Sequence, residues 1–234
     1  MPDKRPVFLL AGGRGRARPN PDPLIQAVHK EFGAPSPTIA YVGTANDDNT
    51  EFYNRMADYF KENGASKVTH ALIRPPRADI AKAKAILQSA DIVFISGGDV
   101  EYGMKVLREK KMTDFLGGLY AEGKPFFGVS AGSIMLGREW VRWPDPDNSD
   151  FAELFTCLCI APVICDTHGE EDDFEELQAA LQLEKDGTEG YGIVTGTAIK
   201  VYPGGKVEAV GGNSYHYVHR GDKVERIADL TPVR

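Results

Sequence analysis

The chain has 234 residues, 42% of them hydrophobic and 26% charged, with a formal net charge of −7. No apolar run approaches the roughly 18 residues that a membrane helix needs. The acidic balance, without any long Lys/Arg block, excludes a face built to neutralise nucleic-acid phosphates. Cys157, Cys159 and Cys165 are odd in number, crowd into one stretch and lack a second pair at zinc-site spacing. They read as buried or half-buried free thiols rather than a disulfide framework or a metal centre. The first apolar run, residues 7–11, is too short for a secretory leader and reads as a strand, so a cytoplasmic protein is expected.

Up to about residue 140 two patterns alternate. Short apolar runs at 7–11, 38–42, 67–72, 91–96 and 125–129 read as strands. Amphipathic segments lie between them. In 23–32, Leu24, Val28 and Phe32 recur every four residues. In 50–63, Phe52, Met56, Tyr59 and Phe60 share a face, and 78–88 and 113–122 read as two further helices. Such alternation predicts an α/β fold of three layers, a mainly parallel sheet with helices on both faces. Beyond residue 161 the pattern changes to one apolar run (161–165), one helix (172–183) and short runs at 190–194, 197–202, 206–210 and 215–218. Pro203-Gly204-Gly205 and Gly211-Gly212-Asn213 punctuate the last of these, so short antiparallel strands and hairpins are expected at one edge of the same sheet. Nothing resembles a linker, and residues 1–234 read as a single domain. Residues 142–150 read as a surface loop.

Gly128-Val129-Ser130-Ala131-Gly132 follows the run 125–129 and precedes a helix-like stretch. A strand, tight turn and helix around Gly-x-Ser-x-Gly thrusts the serine out over the carboxyl end of the sheet, and the next backbone N–H, on Ala131, faces a developing oxyanion. Ser130 is therefore the candidate nucleophile; the competing reading is a glycine-rich turn whose serine caps a helix. Ser96-Gly97-Gly98-Asp99 ends the preceding strand. Loops at the carboxyl ends of neighbouring parallel strands share a crevice, so Gly97-Gly98 can lie beside Ser130 and offer a second oxyanion N–H. No Gly-Lys-[Ser/Thr] follows, which removes a phosphate cradle, and Gly12-Gly13-Arg14-Gly15 reads as a plain loop.

A serine nucleophile needs a base held by a carboxylate. His29 falls in a predicted surface helix, His70 in a strand, and His216 and His219 in a late hairpin. His168, at a strand end in Asp166-Thr167-His168-Gly169, is the favoured base. For the orienting acid, Asp145, Asp147, Asp150 and Asp166 all remain open on placement.

Together, the Gly97-Gly98-Asp99 turn, the Gly-x-Ser-Ala-Gly elbow and an isolated histidine after the next apolar run resemble the dipeptidase E (α-aspartyl dipeptidase) family of serine peptidases. That family shares the fold of class I glutamine amidotransferases, and the likeness runs from Val7 to about Gly212. The spacings also match: Ser130 to Asp145 is 145 − 130 = 15 positions, and Ser130 to His168 is 168 − 130 = 38. The resemblance implies a Ser130–His168–Asp145 triad, an oxyanion held by Gly98 and Ala131, no cofactor and no metal. The substrate it implies is a short peptide losing its N-terminal residue. Gly97, Asp99 and Glu170 are expected to line the substrate site. The family's aspartate-specific members carry a basic segment after the histidine, whereas this chain has Gly169-Glu170-Glu171-Asp172-Asp173-Phe174-Glu175-Glu176. Those acids would repel an aspartyl substrate and attract an ammonium or basic residue, or they simply suit the first turn of the next helix.

Four rival readings are weighed. An α/β-hydrolase esterase needs more chain than 38 residues between serine and histidine. A glutamine amidotransferase needs cysteine at the elbow. A cyanophycinase-like peptidase shares the Ser-Ala-Gly elbow and would suit the acidic loop. A catalytically silent member of the fold is opposed by intact candidates for every triad role. No nucleic-acid or membrane partner is expected, and the chain is expected to be a monomer or a small homo-oligomer.

Overall fold

Alternating apolar runs and amphipathic segments become strands and helices in chain order in the computed structural model, which describes residues 3–13, 19–76, 78–144 and 151–232. The elements are β1 (Val7–Leu10), α1 (Pro23–Glu31), β2 (Thr38–Val42), a 3-10 turn (Thr44–Asn46), α2 (Thr50–Glu62), β3 (Lys67–His70), α3 (Ile80–Ser89), β4 (Ile92–Ile95), α4 (Val100–Glu109), α5 (Thr113–Ala121), β5 (Phe126–Val129) and α6 (Ala131–Leu136). There follow β6 (Glu139–Arg142), β7 (Glu153–Thr156), β8 (Ile164–Thr167), α7 (Glu175–Gln182), β9 (Glu189–Ile193), β10 (Ala198–Val201), β11 (Val207–Val210), β12 (Tyr215–Arg220) and β13 (Lys223–Arg226). Local chemistry starts the first four helices alike: Asp22, Asn49, Asp79 and Asp99 each accept a backbone N–H of the first turn.

The central sheet runs β11-β10-β1-β5-β4-β2-β3. From β1 to β3 every pairing is parallel, while β10 and β11 add antiparallel at the β1 edge. The two faces follow from the period of the pleat. Val7, Leu9, Val93 and Ile95 face α3, α4, α5 and α6, whereas Phe8, Leu10, Ile92 and Phe94 face α1 and α2. This is the expected three-layer α/β architecture.

The C-terminal part departs from the expectation of one sheet. Only the β10–β11 hairpin extends the central sheet; β8, β9, β12 and β13 form a second sheet in the order β13-β12-β9-β8. The cause is a separate apolar cluster, in which Phe174, Leu177 and Leu181 around α7 pack against Val141, Ile164 and Tyr217. Of the loop expected at 142–150, Arg142 instead closes β6, which pairs antiparallel with β7; residues 145–150 lie outside the described residues. One further reading is corrected: Cys159 is exposed, unlike buried Cys157 and Cys165. His29 lies in α1 and is itself 4% exposed. No helix among the described residues is long and apolar enough to cross a membrane.

Candidate active site

The carboxyl ends of the parallel strands converge on a cleft of about 640 Å³. Ala11, Gly12 and Gly13 follow β1, Asn46 follows β2, Gly97 and Gly98 follow β4, and Val129 and Ser130 end β5. His168 enters from the second sheet, and Phe52, Arg55 and Met56 of α2 form a wall. A smaller apolar hollow of about 190 Å³ shares Gly12 and Gly13 with the cleft.

Ser130 has φ 53° and ψ −128°, a region costly for a residue with a side chain. Surrounding contacts over-determine it. Its N–H donates to Leu10 O at 2.8 Å, and its carbonyl accepts Ser133 N–H at 2.7 Å. Gly132 lets the turn pass β4, since a Cβ there would run into the Ile95 carbonyl. The elbow therefore fixes where the hydroxyl stands. As the first residue of α6, Ala131 has an N–H with no acceptor within its own helix.

The Gly97-Gly98 turn lies against this elbow: a Cβ built on Gly97 would stand 3.1 Å from Ser130 Cβ. Gly98 has φ 146°, and a Cβ on it would collide with the Ala45 carbonyl. Asn46, which no sequence argument singled out, fixes this turn. Its Nδ2 donates to Gly97 O at 3.0 Å and lies within 2.9 Å of Ser96 Oγ and 3.0 Å of Tyr41 OH. A trans peptide points its C=O and N–H in opposite directions. Holding Gly97 O toward Asn46 therefore turns the Gly98 N–H away from Asn46. Asn46 is held in turn by the loop that buried Asp48 fastens to the chain after β3. Asp48 accepts the Ile73 and Arg74 N–H groups at 2.8 Å each and meets His70 Nε2 at 3.2 Å. Burial pushes the Asp48 carboxyl up, but the hydrogen bonds from His70, Arg74 and Ile73 outweigh it and hold the group below the ordinary carboxylate range.

His168 follows β8, and the parallel β8–β9 pairing brings it to the same end as Thr195. Its backbone also has positive φ, 67°. The ring Nδ1 lies 2.9 Å from Thr195 Oγ1. The Thr195 N–H donates to the Glu170 carboxylate. Burial pushes Glu170 up; hydrogen bonds from the Thr195 backbone, its own backbone and the Thr195 hydroxyl, with the charge of His168, outweigh it and leave the carboxyl below its ordinary range.

Ser130, His168, Gly97 and Gly98 thus line one cleft, with Ala131 the next residue after Ser130. Asp99 instead caps α4 by accepting the Tyr102 N–H at 2.7 Å. Glu170 turns to Thr195 and is not among the residues lining the cleft. Asp145, Asp147 and Asp150 lie outside the described residues. Asp166 is buried and accepts the Thr167 N–H at 2.6 Å. Asp173 takes Tyr217 OH, Glu176 takes the Trp140 indole, and Asp172 and Glu175 line a separate hollow beside α7. The other histidines have no place in the cleft: His70 meets Asp48, His216 meets Glu189, and His219 meets the Glu184 carbonyl. Arg55 is the permanently charged side chain of the described cleft lining. Its guanidinium lies 5.3 Å from the Phe52 ring centroid, and it forms no ion pair among the described residues. Among those residues no cluster of three His, Cys, Asp or Glu side chains could hold a metal ion.

The sequence pattern of Peptidase family S51 matches residues 7–209. The uncharacterized peptidase YgaJ of Bacillus subtilis (strain 168) is 22% identical over 135 residues, covering 58% of this chain and 57% of that protein, little more than half its length. A crystal structure of a peptidase from an acI-B1 Actinobacterium superposes with TM-score 0.68 at 17% identity, covering 98% of this chain and 97% of that one. A candidate peptidase E from Listeria monocytogenes EGD-e superposes with TM-score 0.61 at 13% identity, covering 96% of this chain and 100% of that one. At such identities the two structures speak for the fold.

Proposed function

Since the chain belongs to peptidase family S51, the dipeptidase E family of serine peptidases, we propose that it hydrolyses short peptides with Ser130 as nucleophile and His168 as base. The observation that carries this reading is the strained Ser130 elbow, seated against Gly97 and opening with His168 onto one cleft. Ser130 Oγ attacks the scissile carbonyl while its proton passes to His168. The oxyanion is received by the Gly98 and Ala131 N–H groups, and His168 returns the proton to the leaving amine. The orienting acid given by the family resemblance is Asp145.

Arg55 directs the choice of substrate. Arg55, without an ion-pair partner among the described residues, lines a cleft of ordinary ligand size. The segment 170–176 places no carboxylate among the described cleft-lining residues. We therefore favour a short peptide carrying a carboxylate, as an acidic side chain or a free C-terminus, over a basic one.

The test is to incubate wild type and Ser130→Ala with acidic, neutral and basic dipeptides and their amidated or N-blocked forms, following cleavage by mass spectrometry. The reading expects cleavage by wild type and a loss of about 10⁴-fold or more in Ser130→Ala. Free-carboxylate peptides should be preferred, and Arg55→Ala should erase that preference through KM. Equal cleavage by wild type and Ser130→Ala would end the assignment, and a preference for basic peptides would end the role given to Arg55.

A further inference from the structure

We infer that Thr195 and Glu170 act together as a positioning relay for His168, adding a second carboxylate charge, beside that of Asp145, that helps to select the tautomer and steady the imidazolium. This rests on the reading of Ser130 and His168 as nucleophile and base. The argument is one of donors and acceptors. Glu170 is held ionised, so it can only accept. It receives the Thr195 N–H, which sets the Thr195 hydroxyl beside the same carboxylate. A hydroxyl has one proton. If Thr195 Oγ1 gives that proton to Glu170, it faces His168 Nδ1, 2.9 Å away, as an acceptor. The ring must then carry its proton on Nδ1, which leaves Nε2 bare to take the proton of Ser130.

During attack the Ser130 proton moves to Nε2. The Nδ1 proton stays on the ring, the Thr195 proton stays on Thr195, and the Glu170 charge stabilises the imidazolium through the hydroxyl. No proton crosses to Glu170 and none leaves the site. The backbone favours the arrangement. Thr167 pairs with Ile193 across β8 and β9, so one residue past β8 and two past β9 the chain brings His168 and Thr195 together. Among the described residues, the other charged groups near the pair in chain or cleft are Asp166 on β8, Arg55 in the cleft lining, and Glu171 and Asp172 following Glu170. Asp173 is taken up by Tyr217 and Arg226, and Glu176 by Trp140.

The test combines imidazole NMR with kinetics on the whole chain, using Glu170→Gln, Thr195→Val, Thr195→Ser and Asp145→Asn. The His168 signals are assigned by their absence in His168→Gln, and thermal melts check that each variant is folded. Glu170→Gln keeps an acceptor for the Thr195 N–H but removes the charge, so His168 should titrate at lower pH than in wild type. The acid limb of kcat/KM should move the same way, with kcat down about ten-fold and KM little changed. Thr195→Val should lose the Nδ1–H tautomer and activity, and Thr195→Ser should restore both. An unmoved His168 titration in Glu170→Gln, or full activity in Thr195→Val, would overturn the relay. So would an effect on titration and rate confined to Asp145→Asn, which would give the whole role to residue 145. If wild type cleaves nothing, the peptidase reading fails, while the NMR comparison still decides the relay.

Discussion

The two sides of the cleft are built in different ways. The serine side is assembled from neighbouring parallel strands of one sheet, where β5, β4 and β2 deliver Ser130, Gly97-Gly98 and Asn46 side by side. The histidine side is assembled from a second sheet, in which the base and its hydroxyl partner come from strands joined through α7 and are 195 − 168 = 27 positions apart. On the first side, close backbone packing fixes the geometry and glycines make it possible. On the second, side-chain hydrogen bonds do that work. Substitutions on the serine side should therefore act through shape and on kcat. Those on the histidine side should act through charge and tautomer and on the pH profile.

Gly98→Ala tests the serine side most severely. The new methyl would drive into the Ala45 carbonyl at a backbone φ of 146° that disfavours any side chain. Either the turn moves or the Ala45–Asn46 segment does, and both displace the Gly98 N–H. A loss of about 10²- to 10³-fold in kcat is expected, as for removal of one oxyanion donor, together with a lower Tm. Steady-state kinetics and a melt decide it. Wild-type kcat in a folded Gly98→Ala protein would remove the Gly98 N–H from the oxyanion site.

Asn46→Asp is the milder form of the same experiment. The side chain keeps its size and can still accept the Asn49 N–H, but it offers Gly97 O no donor. The Gly97–Gly98 peptide then loses the bond that sets its direction, between two glycines with wide conformational freedom. A fall of about ten-fold or more in kcat is expected. The new charge also lines the cleft, so a carboxylate-bearing substrate should bind less well and the His168 limb of the pH profile should move to higher pH, opposite to Glu170→Gln. A change in KM alone would assign Asn46 to substrate binding.

This division also explains what was legible in the sequence. The parallel core could be read because each strand is a short apolar run and each intervening helix repeats at helical spacing. The elbow could be read because a sharp turn with an exposed serine demands small neighbours, so Gly128 and Gly132 flank it. Asn46 was hidden because its role depends on the order β5-β4-β2, in which strands far apart in the chain become neighbours. Thr195 was hidden for a similar reason. In Val194-Thr195-Gly196-Thr197 it looks like ordinary turn chemistry, and only the β8–β9 pairing brings it to His168. The second sheet escaped detection because short strands carry no mark of the sheet they join; the apolar cluster around Phe174 decides that. The acidic segment could be read as a pocket charge or as the start of a helix. Glu175 and Glu176 sit in the first turn of α7, where the helix dipole favours them.

Asp48→Asn should have the smallest effect on catalysis and a measurable one on stability, because Asp48 holds the serine side from behind. The carboxylate anchors the 43–49 loop to the backbone after β3, and asparagine can keep the shape of those bonds while losing their charge. Charge-assisted hydrogen bonds exceed neutral ones by roughly 1 to 2 kcal/mol, so a loss of that order is expected at neutral pH. The sign of its pH dependence follows from the carboxyl lying below its ordinary range in the folded protein. The stabilisation is complete above the unfolded value of about 4 and disappears as pH falls through the lower folded value. The gap between wild type and Asp48→Asn should therefore be full at pH 7 and should close in acid, as urea unfolding of both proteins at a series of pH values would reveal. A gap that stays constant into acid would mean that Asp48 contributes by shape alone, and the loop behind Gly98 would then be held as the elbow is, by packing rather than by charge.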